Sequence, residues 1–461
     1  MKLIFFSFVI LSMVYSCQPL ESEISTSADI KLTFSTDTVL FDTLLTDTLS
    51  ITKRFRIYNT SKNAVSINHI RLGLGSGSNY RIFANGKEGP SITDEVLNGG
   101  DSILVLVDAD INPEDEDLPY LVKDSVIVEW NTNQSHVKLV AWGQDANYLK
   151  QRSVCDEIWD SSRPYIIYDS LFIPPDCQLT IDAGVRLLFN NGAALHVAGS
   201  LVVQGDSGSQ VVFRNIRFDE NYIEAPGQWG HPGIGAGIIF YPQSTGNQID
   251  FAIIENANSG IYMGIPDDDN DFDLVINHTI IRHMTRFGIL SFTSDIYATN
   301  SMFYNCGSAL LANLAGGSYT YEHCTFSNYP SFLLAEDPAL QFSDYVETGE
   351  DPIISDLDVE ITNSIIWGAN KKEITVNEGG GANINLNLIS NIIKYDENIP
   401  NNYASNESNF PGFKDQIAFD YSLDSLSFAI DKAIPGEITS DILGRARDSN
   451  PDIGAFEHIA E

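Results

Sequence analysis

The sequence predicts an all-β chain in two parts, a sandwich of short strands followed by a stacked solenoid with a C-terminal closing segment. Three observations carry this. Residues 30–147 alternate apolar and polar side chains in short runs separated by Asn-, Gly- and Ser-containing breakers. A nine-residue phrase then recurs five times: QIDFAIIEN from Gln248, VINHTIIRH from Val275, YATNSMFYN from Tyr297, TYEHCTFSN from Thr320 and EITNSIIWG from Glu360. Its starts lie 27, 22, 23 and 40 residues apart, a base period of about 22 carrying two insertions, which is the spacing of stacked coils. The columns are also consistent. The fifth position is small (Ala252, Thr279, Ser301, Cys324, Ser364), the seventh large and apolar (Ile254, Ile281, Phe303, Phe326, Ile366), and the ninth mostly a turn residue.

From the N-terminus, residues 1–16 read as a short secretory signal. Lys2 supplies the positive end, and residues 3–14 form an apolar run too short to span a bilayer. Val14-Tyr15-Ser16-Cys17 resembles the lipobox of bacterial lipoproteins. The resemblance implies cleavage before Cys17 and acylation of its sulfur, with several acyl chains giving firm anchorage where one is marginal. Residues 17–29 then form a lipidated, flexible, Ser-, Glu- and Thr-rich tether. Its start, Gln18-Pro19-Leu20-Glu21-Ser22-Glu23, loosely resembles the surface-export tag of Bacteroidota lipoproteins. Together these imply an outer-membrane lipoprotein of the bacterial cell envelope, exposed at the cell surface. The net charge of −36 argues against nucleic acid as a partner and against attraction to anionic headgroups, which leaves the lipid as the membrane contact.

In residues 30–147 the predicted strands are 53–58, 64–72, 102–109, 125–130 and 136–142, and their spacing predicts a β-sandwich. The strings RIYNTSKNAVSINHIRL, NGGDSILVLVDA and AWGQD resemble hydin-type immunoglobulin-like domains, which implies a spacer or docking role. No catalytic set is visible here, so the domain reads as a stalk.

Residues 151–400 carry the coils. LTIDAGVRLLF (179–189) and AALHVAGSLVVQGDSGSQVVFRN (193–215) resemble the opening coils of right-handed parallel β-helix proteins of the pectate-lyase type. Such coils point equivalent side chains into one lumen, apolar on apolar. Residues 383–393 add a final coil. Residues 401–461 form the closing segment: SFAIDKAIPG and DILGRARDSNPDIGAFE resemble the ending of secreted and surface β-helix proteins, which implies a cap over the last coil that hides its edge. With PGQW (226–229), the whole resembles Bacteroidota surface β-helix lipoproteins, a likeness of fold whose scaffold hosts many activities. Apart from Cys17, the cysteines Cys155, Cys177, Cys306 and Cys324 allow three connectivities, of which Cys155 with Cys177 is the expected pair.

Two insertions, 265–274 and 336–358, leave the coils at one edge and are expected to wall a groove. Both are acidic. Alternating Asp267, Asp269, Asp271 and Asp273 supply hard oxygen ligands of the kind calcium takes, although the Gly and distal Glu of an EF-hand loop are missing and a charge run is more often a solvated loop. Calcium is therefore the candidate ion, and no cofactor is required. A polysaccharide lyase needs a strong base, yet no lysine lies between Gln151 and Asn370; Arg214, Arg217, His278, Arg282, His283 and Arg286 are the cationic or basic candidates. His278, however, shares the fourth column with His323, which stacking explains, and Arg282 and Arg286 equally suit surface pairing with the acidic loops. A hydrolase needs a carboxylate pair; Asp219, Glu220, Glu224, Asp250 and Glu255 are the least arbitrary set. GHPGIGAGI (230–238) contains GxGxG but leads into a strand and not a helix, which excludes a dinucleotide site. Tyr222, Trp229, Tyr262 and Trp367 are candidate sugar-stacking platforms, or packing residues if buried.

These readings favour an envelope lipoprotein whose β-helix binds glycans or a protein partner without turnover. The alternative is a carbohydrate-active enzyme, a polysaccharide lyase or glycoside hydrolase, acting between the two loops.

Overall fold

The computed structural model describes residues 23–46, 52–217, 222–264, 271–330, 337–349, 351–396 and 406–459. The chain is all-β and divides into two compact units, Met1–Asp145 and Ala146–Glu461. Cys17 and the tether up to residue 22 lie outside the described residues.

The first unit is a two-sheet sandwich. One sheet joins Thr38–Leu45, Asn133–Gln144, Tyr120–Trp130, Ala64–Leu72 and Ile24–Ser25, with Ser91–Leu97 also paired to Ala64–Leu72. The other runs Leu32–Phe34, Lys53–Asn59, Ser102–Ala109, Tyr80–Ala84, Lys87–Gly89. Alternation is the cause: in Ser102–Ala109 every second residue (Ile103, Val105, Val107, Ala109) is buried, and these meet Phe55, Ile57, Val126 and Val128 in one core. The strands 32–34, 38–45, 80–84, 87–89 and 91–97 complete the two sheets beyond the five expected from the sequence.

The second unit is a parallel β-helix with three faces. Each coil supplies one strand to each face, and every coil-to-coil pairing in these sheets is parallel. The first face contains Ser170–Ile173, Ala194–Val197, Ile238–Phe240 and Ile261–Met263; the second contains Gln178–Asp182, Ser200–Gln204, Asn247–Asp250 and Leu274–Asn277. These two merge into one 16-stranded sheet because Ile289–Thr299 and Leu311–Glu322 run straight across the corner. The third face is a separate ten-stranded sheet from Asn147–Leu149 to Ile392–Ile393.

The repeated phrase acquires a physical meaning here. Its first three residues finish a second-face strand, and its fourth (Phe251, His278, Asn300, His323, Asn363) is a single corner residue at φ between 45° and 53°. Its fifth to eighth residues form the third face. The seventh column, Ile254–Ile281–Phe303–Phe326–Ile366, stacks in register inside the lumen. Truncating one such side chain to Ala costs about 2–5 kcal/mol. The fifth column is small because it carries a hydroxyl ladder. Thr279 Oγ1 donates to its own Asn277 O (2.9 Å) and accepts from Ala252 N (3.3 Å); Ser301 Oγ repeats this with Thr299 O (2.7 Å) and Thr279 N (3.2 Å).

Two expectations need correction. The insertion 336–358 is partly a coil: Leu340–Ser343 is a first-face strand paired to Leu311–Asn313, and only a short hairpin (Tyr345–Val346 with Ile353–Ile354) projects beyond it. The closing segment does cap the solenoid, but lengthwise. Glu407 bridges Ile392 at the last edge, while 413–457 runs as a strap along the flank, with Phe413, Tyr421 and Ile453 packed on Met302, Tyr304, Ile365 and Trp367 of the third face. The strap buries an apolar third-face exterior that no coil could cover. A disulfide, Cys155–Cys177, ties the first coil, with Cα atoms 4.6 Å apart. Cys306 and Cys324 are free and buried, and burial pushes both thiols up to about 12, so they are inert at neutral pH.

Candidate functional site

Arg282 and His283 occupy the eighth and ninth columns of the phrase, on the outer side and at the edge of the third face. Register places Glu255 beside Arg282 and Arg282 beside Tyr304 on successive coils. Arg282 Nε donates to Glu255 Oε2 at 2.7 Å, and its Nη1 donates to Tyr304 Oη at 2.6 Å. Arg214 Nη1 lies 3.4 Å from the other oxygen, Glu255 Oε1. Both carboxylate oxygens are thus occupied by guanidinium groups. Burial alone would lower the Arg282 pKa, but Tyr304 and Glu255 outweigh it and hold it above the ordinary value. Burial lowers Arg214, with Glu255 opposing.

Arg282 pairs with buried Glu255, and its guanidinium, held protonated by that carboxylate and by Tyr304, does not serve as a base. Glu255 has one oxygen against Arg214 and the other against Arg282. His283 is buried with its Nδ1 2.6 Å from Asn305 Nδ2, and burial, then Arg282 and Arg214, hold its imidazole down to about 3. It stays neutral and weakly basic. Arg286 is exposed, 5.0 Å from the Phe287 ring, with no carboxylate arranged around it by any contact among the described residues. Asp219 and Glu220 lie outside the described residues.

The four aromatic candidates separate. Trp229 is fully buried, stacked on Phe189 with centroids 4.0 Å apart, and its indole N–H donates to Glu255 O at 2.8 Å. Gly237 makes the room, since a Cβ there would lie 2.6 Å from the indole. Trp367 is buried on the third face beside Phe410 of the closing segment. Tyr222 is half-buried with the Arg217 guanidinium 3.3 Å from its ring centre. Tyr262 alone of the four sits on the outside of the first face. Sequence reasoning missed its company. Register aligns Phe172, His196, Ile239, Tyr262 and Leu290 outward on successive coils, with Tyr241 and Phe292 alongside. Phe172 is 38% exposed, and Tyr241, Tyr262 and Phe292 are half-buried. Tyr262 and Phe292 have centroids 5.8 Å apart, and His196 Nδ1 lies 3.2 Å from Tyr241 Oη. The GHPGIGAGI segment folds over Ile239 and edges this row, with His231 against His196. The signal that could have found it is the ring residue that follows the inward apolar position in three of these five strands, Phe172, His196 and Tyr262.

Most of the first acidic loop, residues 265–270 with Asp267 and Asp269, lies outside the described residues. Asp271 is exposed; Asp273 is buried and its Oδ2 accepts Asp295 N at 2.7 Å. In the second loop, Asp344 accepts from Gly379 N, Gly380 N and Ala382 N, and Asp356 clasps Asn383 through both oxygens. Burial would raise Asp344, but these backbone donors win and lower it. The shallow concavity of about 500 Å³ beside it is lined by Val376, Ile384, Leu386 and two carboxylates, Asp344, which these amides engage, and exposed Glu378. Among the described residues no group of three or more His, Cys, Asp or Glu side chains is arranged to hold a metal ion.

No family model and no curated protein matches this chain. Solved structures with local likeness include XylC in complex with xylose, at 7% identity over 92% of this chain and 88% of that one with a TM-score of 0.36. The catalytic unit of a GH87 α-1,3-glucanase from Streptomyces thermodiastaticus gives 12% identity, 73% and 80% coverage and a TM-score of 0.20. The ASH/PapD-like domain of human CEP192 gives 11% identity over 29% of this chain and 98% of that one, with a TM-score of 0.19. Likeness at this level does not extend to function.

Proposed function

We propose that this chain is a lipid-anchored envelope protein whose β-helix binds a neutral glycan on its first face without cleaving glycosidic bonds. The observation that carries the reading is the outward aromatic row. Phe172 and Tyr262 lie three coils apart, ~14 Å at ordinary strand spacing. Rigid aromatic faces on a stacked scaffold offer apolar area at little entropic cost, and flat rings with a polar edge suit sugar rings, which are apolar on their faces and polar around them. A surface of net charge −36 repels polyanions, which favours a neutral chain. Absence of turnover is supported by the third-face cluster, where Arg282 and Glu255 are engaged in an ion pair and His283 is buried and neutral. Anchorage is supported by the Ser16-Cys17 phrase.

The test is co-sedimentation of the purified protein with insoluble neutral polysaccharides, with reducing ends counted in the supernatant. Retention by at least one neutral glycan with no new reducing ends is expected. Failure of every neutral glycan, or release of new ends, would overturn the reading. Partition of the cell-made protein into detergent, lost in Cys17→Ser, checks the anchor.

A further inference from the structure

The corner column holds one arrangement that the fold does not require. His278, the corner residue between Asn247–Asp250's neighbouring coil and the third face, has its Nδ1 3.3 Å from Asp250 Oδ1 and its Nε2 3.0 Å from Ser440 Oγ. The three residues come from two coils and the strap. We propose that Ser440, His278 and Asp250 form an acyl-transfer site, with Ser440 as nucleophile toward small neutral acyl esters. The proposal is independent of the glycan row, which lies on another face.

Each member is held in place. The His278 ring stacks on Phe251 with centroids 4.1 Å apart and planes 3° from parallel, which fixes its tilt. Asp250 ends the second-face strand Asn247–Asp250, one coil before His278, and its side chain is partly open. Ser440 sits in an antiparallel bridge with Ala446, and its carbonyl accepts Arg447 Nε at 3.0 Å. Ser440 is a half-buried residue. The other corners are fastened differently. Asn300 Oδ1 meets Arg447 and His323 Nε2 meets Asn363 Nδ2, so a carboxylate, an imidazole and a hydroxyl are aligned at His278 alone of these three.

The order of partners sets the chemistry. With the Nδ1 proton directed at Asp250, the Nε2 lone pair accepts the Ser440 proton as Oγ bonds to the acyl carbon. Collapse of the tetrahedral intermediate breaks the acyl–alkoxy bond, and the departing alcohol takes the proton from His278. Water then adds to the acyl-serine, its proton passing to His278 and on to Ser440 Oγ. The sum is ester plus water to acid plus alcohol, with no metal, oxidant or reductant. A neutral ester is favoured because the Asp250 carboxylate beside His278 and the net charge of −36 would repel an anion.

The test uses a fluorophosphonate probe on the full chain, with intact mass and peptide mapping. A single adduct on Ser440 is expected. It should be absent in Ser440→Ala and slowed at least roughly tenfold in Asp250→Asn and His278→Asn, with a rate that rises with pH as one imidazole loses its proton. Hydrolysis of p-nitrophenyl acetate should follow the same pattern. No adduct on Ser440 in protein with an intact thermal transition, or an adduct unaffected by Asp250→Asn and without that pH dependence, would overturn the proposal and leave the three as a strap fastening.

Discussion

Arg447 Nη2 donates to Asn300 Oδ1 at 3.1 Å, joining the closing strap to a corner of the solenoid 147 residues earlier. The same side chain, 1% exposed, also donates to Glu457 Oε2, Gly454 O, Asp452 O and Ser440 O. A buried cation with that many acceptors is a lock, because removing it strands every partner. Arg447→Ala should cost about 3–5 kcal/mol, the usual loss when one partner of a buried pair is deleted. Limited proteolysis should then release the C-terminal segment first. A variant as resistant as the parent would show that the strap is held by its apolar contacts alone.

The strap also carries a pH dependence. Asp452 is buried, and burial, only partly offset by the amides of His458 and Asp431, raises its carboxyl from 3.8 to about 6. A raised carboxyl binds a proton more tightly folded than unfolded, so between about pH 4 and 6 folding takes up a proton and stability falls as pH rises. Acidifying from pH 7 to 5 should therefore add stability in chemical denaturation, and Asp452→Asn should reduce that response. Equal responses in both proteins would place the titration elsewhere.

What the sequence shows and hides follows from range. The solenoid is legible because a coil repeats its environment every 22 or so residues, and each environment leaves a chemical column. The fourth column is less so. Phe251, His278, Asn300, His323 and Asn363 share one left-handed corner but no side-chain chemistry, so the backbone requirement is hidden behind dissimilar residues. Trp229 and Trp367 read as platforms because nothing local announces Phe189 beneath one or Phe410 beside the other. The Glu255–Arg282 pair and the Ser440–His278–Asp250 alignment are products of coil register and strap path, neither of which is local.

The disulfide gives a separable prediction. It closes a loop of 22 residues at the first coil, where each strand has a neighbouring coil on one side only. Reduction, or Cys155→Ser with Cys177→Ser, should lower stability by about 3 kcal/mol through loop entropy. Denaturant unfolding with and without reductant measures it. An unchanged midpoint would mean that the first coil unfolds outside the main transition.

The hydroxyl ladder can be tested with a near-isosteric change. Thr279→Val keeps the volume but removes both the donor to Asn277 O and the acceptor for Ala252 N. Two buried backbone groups lose a partner, so a loss of about 1–3 kcal/mol is expected in chemical denaturation. A neutral result would show that the inter-coil backbone bonds suffice without the ladder.

Trp229 and Tyr262 distinguish packing from recognition. Trp229 fills the space left by Gly237 and stacks on Phe189, so Trp229→Ala opens a core cavity and should cost about 3–5 kcal/mol. Tyr262 faces outward beside Phe292, so Tyr262→Ala should leave the unfolding midpoint near that of the parent. On whichever neutral glycan the protein retains, Tyr262→Ala should weaken binding about tenfold, ~1.4 kcal/mol. Trp229→Ala, measured well below its own midpoint, should bind within a few-fold of the parent. The reverse pattern, with binding lost in Trp229→Ala and kept in Tyr262→Ala, would move the recognition surface from the first face to the loop around residue 229.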